Sequence, residues 1–142
     1  MTFKRAALGL TGLLVAIQFV PIRRDNPPVT SPVQAPAAVR AILDRACADC
    51  HSHNTVWPWY SRVAPASWLV ARDVHEGRRF LNLSEWASYS TAERWKKLAL
   101  LSTIVQRGDM PPWFYTPLHP AARLSDEDIS TLVMWADNGG EN

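Results

Sequence analysis

The sequence predicts an all-α protein, a bundle of about four helices preceded by an apolar N-terminal segment. Apolar residues after the first quarter of the chain recur at every third or fourth position, and no segment shows the alternation of a strand. Two capping boxes, Ser90-x-x-Glu93 and Ser125-x-x-Asp128, mark helix starts. With 142 residues, the chain has the length of one domain.

Four segments carry the helical pattern. Pro36 is suited to the first turn of the first predicted helix, and a glycine lies at the end of each of the other three. The predicted helices are Ala37–Ala48, Ala66–Gly77, the segment from the Ser90 box to Gly108, and the segment from the Ser125 box to Gly139.

An apolar run, Ala6–Ile22, opens the chain between basic residues. It is typical of a signal peptide or a short membrane anchor, and the absence of a convincing cleavage site favours an anchor over residues 1–24. Four prolines within residues 25–36 predict a semi-rigid stalk, which leaves residues 37–142 as the main domain. Because basic residues flank both ends of the run, they do not settle its orientation.

Charge and cysteine content exclude two classes of protein. Removing the four basic residues around the apolar run and Asp25 reduces 15 basic and 13 acidic residues to 11 and 12. Without a basic patch, we expect no nucleic-acid partner. Two cysteines three positions apart, Cys47 and Cys50, do not make a disulfide scaffold.

The pentapeptide Cys47-Ala-Asp-Cys50-His51 has the spacing of covalent c-type haem attachment. Two thiols on one helical face each form a thioether to the porphyrin, and the following imidazole binds the iron. Three other interpretations are a thioredoxin-like dithiol, part of a zinc site and chance. Attachment takes place outside the bacterial cytoplasm, so the sequence predicts a single-pass protein of the cytoplasmic membrane with its domain in the periplasm.

Further short motifs accompany the pentapeptide. They are Cys47–Ser52, Trp57–Ser61, Ala64–Val70, Glu76–Arg78, Ser84–Trp86, Gly108–Pro112, His119–Pro120 and Leu124–Ser125, with Gln18–Pro21 and Asn26–Pro28 around the anchor. Over about Ile17–Ala136 this set resembles the bacterial haem-binding domain family of small cytochrome-c-like proteins. The resemblance implies a membrane-tethered mono-haem domain with a general role in electron transfer.

Met110 is the expected second axial ligand, opposite His51. Gly108 and the following prolines hold this methionine on an extended loop, whereas Met134 lies among apolar positions of the last helix and is expected in the core. The remaining histidines are weaker candidates. His119 can reach the haem edge and is expected either to form a hydrogen bond to a propionate or the backbone or to be a plain loop residue. His75 is expected to be an ordinary helix residue and His53 to face solvent.

Aromatic residues provide candidate haem contacts. Trp57, Trp59, Tyr60 and Trp68 follow the haem motif and can pack on a porphyrin, unless they are ordinary core. Trp57, Trp59 and Arg62 are candidate donors to propionates, and Trp113, Phe114 and Tyr115 can seal the Met110 side. Core positions are expected for Trp86, Trp95 and Trp135. The basic pairs and runs Arg78–Arg79 and Arg94–Lys97 are expected to be solvated, or to guide docking to an acidic partner.

These features together predict a cytochrome-c-like bundle around one covalent haem c that carries or relays single electrons and is not itself an enzyme. The expected partner is a redox protein or a respiratory or photosynthetic membrane complex. Two alternatives stay open. One is a haem-based sensor or peroxidatic enzyme with an exchangeable sixth ligand, and the other is an accessory haem subunit of a membrane redox complex.

Overall fold

A computed structural model describes residues 2–140, so residue 1 of the predicted anchor and residues 141–142 of the predicted domain lie outside it. Within that range the chain is all-α, as predicted, and an isolated bridge between Ser31 and Glu85 is its one β-type pairing. The helices are α1 (Thr2–Ala16), α2 (Ala37–Ala46), α3 (Ala48–His51), α4 (Ala66–Phe80), α5 (Thr91–Gln106) and α6 (Asp126–Asp137). Short 3₁₀ helices occupy Ile17–Phe19, Trp59–Arg62, Trp86–Ser88 and Pro120–Ala122.

Both predicted capping boxes are confirmed. The Ser90 hydroxyl accepts from the backbone N–H of Glu93, whose carboxylate accepts from the N–H of Ser90 in return. Ser125 and Asp128 form the same reciprocal pair. Because each box satisfies two N–H groups that a helix start leaves without partners, α5 and α6 begin where the sequence predicts.

The core lies between α2, α5 and α6 and includes Trp135. The prediction was wrong for Met134, which is 60% exposed, and for Trp95, which is half-exposed and covers Gly139. Leu132, Trp135 and Ala136 occupy the inward face of α6, so Met134 lies on its outer face.

Helix α1 exposes its apolar side chains, including Leu8, Leu13 and Val15. It ends at Ala16, before the end of the apolar run, and the chain continues as a 3₁₀ turn. None of the helices within residues 2–140 combines the length and the apolar character required to span a bilayer.

The segment 25–36, predicted as a stalk, lies along the domain instead, and we call it the strap. The backbone N–H groups of Thr30 and Ser31 donate to the Ser84 carbonyl at 3.2 and 3.0 Å, and that of Val33 donates to Leu83 at 2.8 Å. Ala35 is buried in the core. The prolines give the extended path that the sequence predicts, but the N–H groups between them bind the residues that follow α4.

Arg78 joins the strap to α4 and to the loop after His51. Its guanidinium donates to the Ser52 carbonyl (2.8 Å), the Asp25 carbonyl (3.0 Å), the Asn26 side chain (3.0 Å) and the Thr55 hydroxyl (2.9 Å). The prediction of a solvated face was therefore wrong for Arg78. For its neighbour Arg79 it holds: that side chain is exposed and pairs with Glu76 on the same helix.

We expect Arg78→Lys to lower the free energy of unfolding by about 2 kcal/mol, because an ammonium cannot reach four separate acceptors. Arg79→Lys is the matched control, with a change below about 0.5 kcal/mol. Chemical denaturation of both variants measures the difference. Equal stabilities would contradict the role of Arg78 in holding the strap.

Arg45 on α2 binds the start of α6. Its guanidinium lies 2.6 Å from Asp128 and also donates to the carbonyls of Ala121 and Arg123. The hydrogen bond from Arg45 is the largest cause that holds the pKa of Asp128 below its usual value. The ion pair therefore stabilises the fold above the unfolded-state pKa of Asp128 and is lost as the pH falls through the folded-state pKa.

We expect Asp128→Asn to reduce stability at pH 7 by up to about 1 kcal/mol, since the pair is partly exposed. The deficit should shrink as the pH falls below about 4, where the wild-type carboxylate takes up its proton. Denaturation at pH 7, 5 and 3 measures it, with Asp126→Asn in the same turn as control. A deficit that stays constant over this range would rule out the ionic contribution.

Candidate functional site

The cysteine motif lies where α2 gives way to α3. Cys47 leaves the helical conformation, at φ −124° and ψ −34°, and the next four residues form one new turn. The sequence predicts a helix that continues to Ala48, but α2 ends at Ala46. The N–H groups of Cys50 and His51 both donate to the Cys47 carbonyl, so the turn that carries the motif is closed on its first cysteine.

The ring of His51 is fixed by α4. Its Nδ1 lies 2.9 Å from the Gly77 carbonyl and 3.0 Å from the Leu81 carbonyl. Carbonyls only accept, so Nδ1 carries the proton and the Nε2 lone pair is left for a metal. Burial lowers the pKa of His51, opposed by these two hydrogen bonds, and this favours the neutral imidazole that coordination requires.

Gly77 allows α4 to approach this close. A Cβ at this position would lie 2.5 Å from the Cys50 carbonyl oxygen, a distance that real side chains do not adopt. The sequence predicts Gly77 as the end of its helix, yet α4 continues to Phe80. The glycine is therefore required by packing against the motif and not by helix termination.

Both cysteines are free thiols and are partly buried. Burial raises the pKa of Cys47 to about 12 and that of Cys50 to about 11. A redox-active dithiol needs the opposite shift, toward the thiolate, so the thioredoxin-like interpretation is not favoured. Within residues 2–140 no three Cys, His, Asp or Glu side chains are grouped to hold a metal ion.

His53 does not supply a further ligand. It is buried, whereas the sequence predicts exposure, and both ring nitrogens are occupied. Nδ1–H donates to the Pro28 carbonyl at 2.9 Å, and Nε2 accepts from the Asn82 amide at 2.9 Å. Its partners come from the strap and from the segment after α4, which is why sequence distance alone did not reveal them.

Asp49, inside the motif, connects it to the loop that carries Met110. The Tyr115 hydroxyl donates to one carboxylate oxygen at 2.7 Å, and the N–H of Val56 donates to the other at 2.8 Å. Tyr115 was expected only to seal that side, and Asp49 was not expected to take part. Burial, and then the bond to Asp49, raise the pKa of Tyr115, so the hydroxyl keeps its proton at neutral pH.

His119 and Tyr60 belong to the same cluster. The Tyr60 hydroxyl and Nε2 of His119 are 2.7 Å apart, and the His119 ring stacks on Tyr115 with centroids 4.0 Å apart. His119 thus forms a hydrogen bond to a tyrosine side chain, whereas the sequence predicts a propionate or the backbone as its partner. His75 lies exposed on α4.

The other predicted contact residues are largely open to solvent. Trp59 and Trp113 are exposed, Trp68 is only partly covered and Met110 is 39% exposed. Trp57 donates to the Asn26 side chain at 3.3 Å. The free thiols of the motif and the available Nε2 of His51 fit the covalent attachment and iron ligation that a haem would require.

Comparisons with known proteins agree with this chemistry. The chain is 27% identical over 97 residues to the cytochrome c peroxidase Ccp of Escherichia coli (strain K12). The match covers 66% of this chain and 21% of that protein, so the chain spans about a fifth of its relative. No solved structure matches the chain.

A family model described as "Haem-binding domain" matches residues 12–138, from within α1 to just after α6. The matched range includes the cysteine motif, the strap and the Met110 loop. The chain belongs to this haem-binding domain family.

Proposed function

We propose that this protein is a mono-haem c-type cytochrome, with haem c attached through Cys47 and Cys50 and with His51 as the first axial ligand. The observation that carries the proposal is the ring of His51, whose Nδ1–H binds two carbonyls and whose Nε2 is available beside two free thiols. Both features suit a motif in which thiols bind the porphyrin and the imidazole binds the iron.

Met110 is the second axial ligand in this proposal. It follows Gly108, which adopts φ 71° where α5 ends, and precedes Pro111 and Pro112. The bond from Tyr115 to Asp49 holds the same loop against the motif. A thioether is a soft neutral ligand and raises the reduction potential relative to a second histidine.

The function proposed is one-electron transfer, as a carrier or relay. The haem supplies the change of redox state, and the protein holds His51 and covers the cofactor with aromatic side chains. Six-coordination without an open position suits a carrier better than an enzyme. The partner is a redox protein or a respiratory or photosynthetic complex of the membrane, and the charge distribution offers no nucleic-acid surface.

Attachment to the outer face of the bacterial cytoplasmic membrane, with the haem domain in the periplasm, is the second part of the proposal. The apolar side chains of α1 support it, since Leu8, Leu10 and Leu13 point in different directions and are all exposed. A helix that is apolar on several sides has a lower free energy in lipid than in water. The export that c-type attachment requires is consistent with this location.

A peroxidatic function is the alternative that a specific observation favours, namely the similarity to a cytochrome c peroxidase. It requires a sixth position that opens to a small ligand. Partial exposure of Met110 is compatible with such opening. A sensor would differ from the carrier in having an exchangeable sixth ligand. An accessory subunit would differ in staying bound to a larger membrane redox complex.

Covalent attachment is tested by exporting the full chain together with haem-maturation machinery. We expect wild type to retain haem through denaturing electrophoresis and the Cys47→Ala, Cys50→Ala double variant to lose it. Each single variant should keep at most one thioether. An undiminished haem signal in the double variant would overturn the assignment.

Met110 is tested against Met134, an exposed methionine on α6. We expect Met110→Ala to lose the ferric sulfur-to-iron charge-transfer band, to bind carbon monoxide and to lower the midpoint potential, while Met134→Ala changes none of these. Absorption spectra and redox titration provide the readouts. If wild type binds carbon monoxide as readily as Met110→Ala, the peroxidatic or sensor function replaces the carrier. If Met110→Ala leaves a low-spin spectrum unchanged, His119 or His75 becomes the candidate ligand.

A further inference from the structure

A cavity of about 280 Å³ lies where the N-terminal segment meets the domain. Its walls are residues 17–22 and Arg24 on one side, and Arg62, Ala64 and Ser67 on the other. The cysteines, His51 and Met110 do not line it, so it is a different site from the proposed haem site.

Hydrogen bonds fix the two walls relative to each other. The Gln18 side chain accepts from the N–H of Ala64 at 2.9 Å and donates to its carbonyl at 3.2 Å. The guanidinium of Arg24 donates to the Ser61 carbonyl at 2.7 Å. Residues that start at the end of α1 are therefore joined to the domain at two points, and the cavity between them is preformed.

The charge in this cavity is of one sign. Arg24 and Arg62 line it, and its walls include no acidic residue. One guanidinium nitrogen of Arg24 donates to the Ser61 carbonyl, and the other N–H groups of this guanidinium can donate to an anion. Arginine side chains can bind phosphate oxygens in a bidentate manner, and two of them line this cavity.

The rim of the cavity is apolar. Phe19 is 81% exposed and Val20 is half-exposed, and both continue the exposed apolar surface of α1. A ligand that fits both features has an anionic phosphate head and apolar chains. Sites for whole small molecules have volumes of about 300–1,000 Å³, so this cavity has room for a head group only, and the chains would extend along α1.

We infer that this cavity binds the phosphate head group of an anionic membrane phospholipid. The inference rests on the membrane location proposed above and adds a specific lipid contact to it. It assigns Arg62, expected from the sequence to donate to a haem propionate, to the lipid instead. Occupation would hold the domain at one orientation to the membrane surface, because Gln18 and Arg24 already fix the domain to the segment after α1.

The test uses the full holoprotein in a neutral detergent. Short-chain phosphatidylglycerol, short-chain phosphatidylcholine and inorganic phosphate are titrated separately, with native mass spectrometry as the binding readout. We expect phosphatidylglycerol to bind in preference to phosphatidylcholine. The Arg24→Gln, Arg62→Gln double variant should bind phosphatidylglycerol at least tenfold more weakly, and the single variant Arg62→Gln should show a smaller loss of the same kind. The control is the Arg40→Gln, Arg123→Gln double variant, which removes two exposed arginines outside the cavity and should bind this lipid as wild type does.

Three results would overturn the inference. Equal binding of both lipids would remove the role of charge, and phosphate binding as tight as phosphatidylglycerol binding would make the cavity a site for free anions. If Arg62→Gln changes the midpoint potential but leaves lipid binding intact, Arg62 contacts the haem, as the sequence predicts, and not the lipid. Flotation of wild type with neutral phosphatidylcholine vesicles tests the membrane location separately, because it depends on α1 and not on the two arginines.

Discussion

The position of one imidazole ring organises this structure. His51 donates from Nδ1 toward the Gly77 and Leu81 carbonyls, which lie at the end of α4, and these bonds require α4 to touch the turn that carries His51. The approach is so close that a Cβ at Gly77 would meet the Cys50 carbonyl at 2.5 Å. The orientation of the histidine, the glycine in α4 and the place of the cysteines are thus parts of a single constraint.

A second layer supports this contact from behind. The N–H of Leu83 donates to the His51 carbonyl at 2.7 Å, and the Leu83 carbonyl accepts from Val33 of the strap. Arg78 on α4 also joins the strap to the loop after His51, because its guanidinium donates to the carbonyls of both Asp25 and Ser52. The strap is therefore part of the structure that holds the proposed ligand, since two backbone hydrogen bonds connect it to His51 through Leu83.

The sequence predicted what neighbouring residues determine. The all-α class, both capping boxes and the cysteine motif follow from spacings within a few positions. What it did not predict depends on residues far apart: Arg78 was expected in solvent, yet it binds Asp25, and His53 was expected in solvent, yet it binds Pro28 and Asn82. Gly77 was noticed but misread, because a glycine required for packing and one that ends a helix look the same in a sequence.

The choice between electron carrier and peroxidatic enzyme depends on the loop that bears Met110. Opening of the proposed sixth position requires this loop to move, and a hydrogen bond from Tyr115 joins the loop to Asp49, two residues before His51 in α3. The Tyr115 hydroxyl is the donor in this bond, and both its burial and the bond to Asp49 raise its pKa further above neutral pH. The short helix that carries His51 therefore also holds the loop that carries Met110, through this one side-chain bond. A loop held in this way would oppose exchange of the proposed sixth ligand, which supports the proposed electron-transfer function over the peroxidatic alternative.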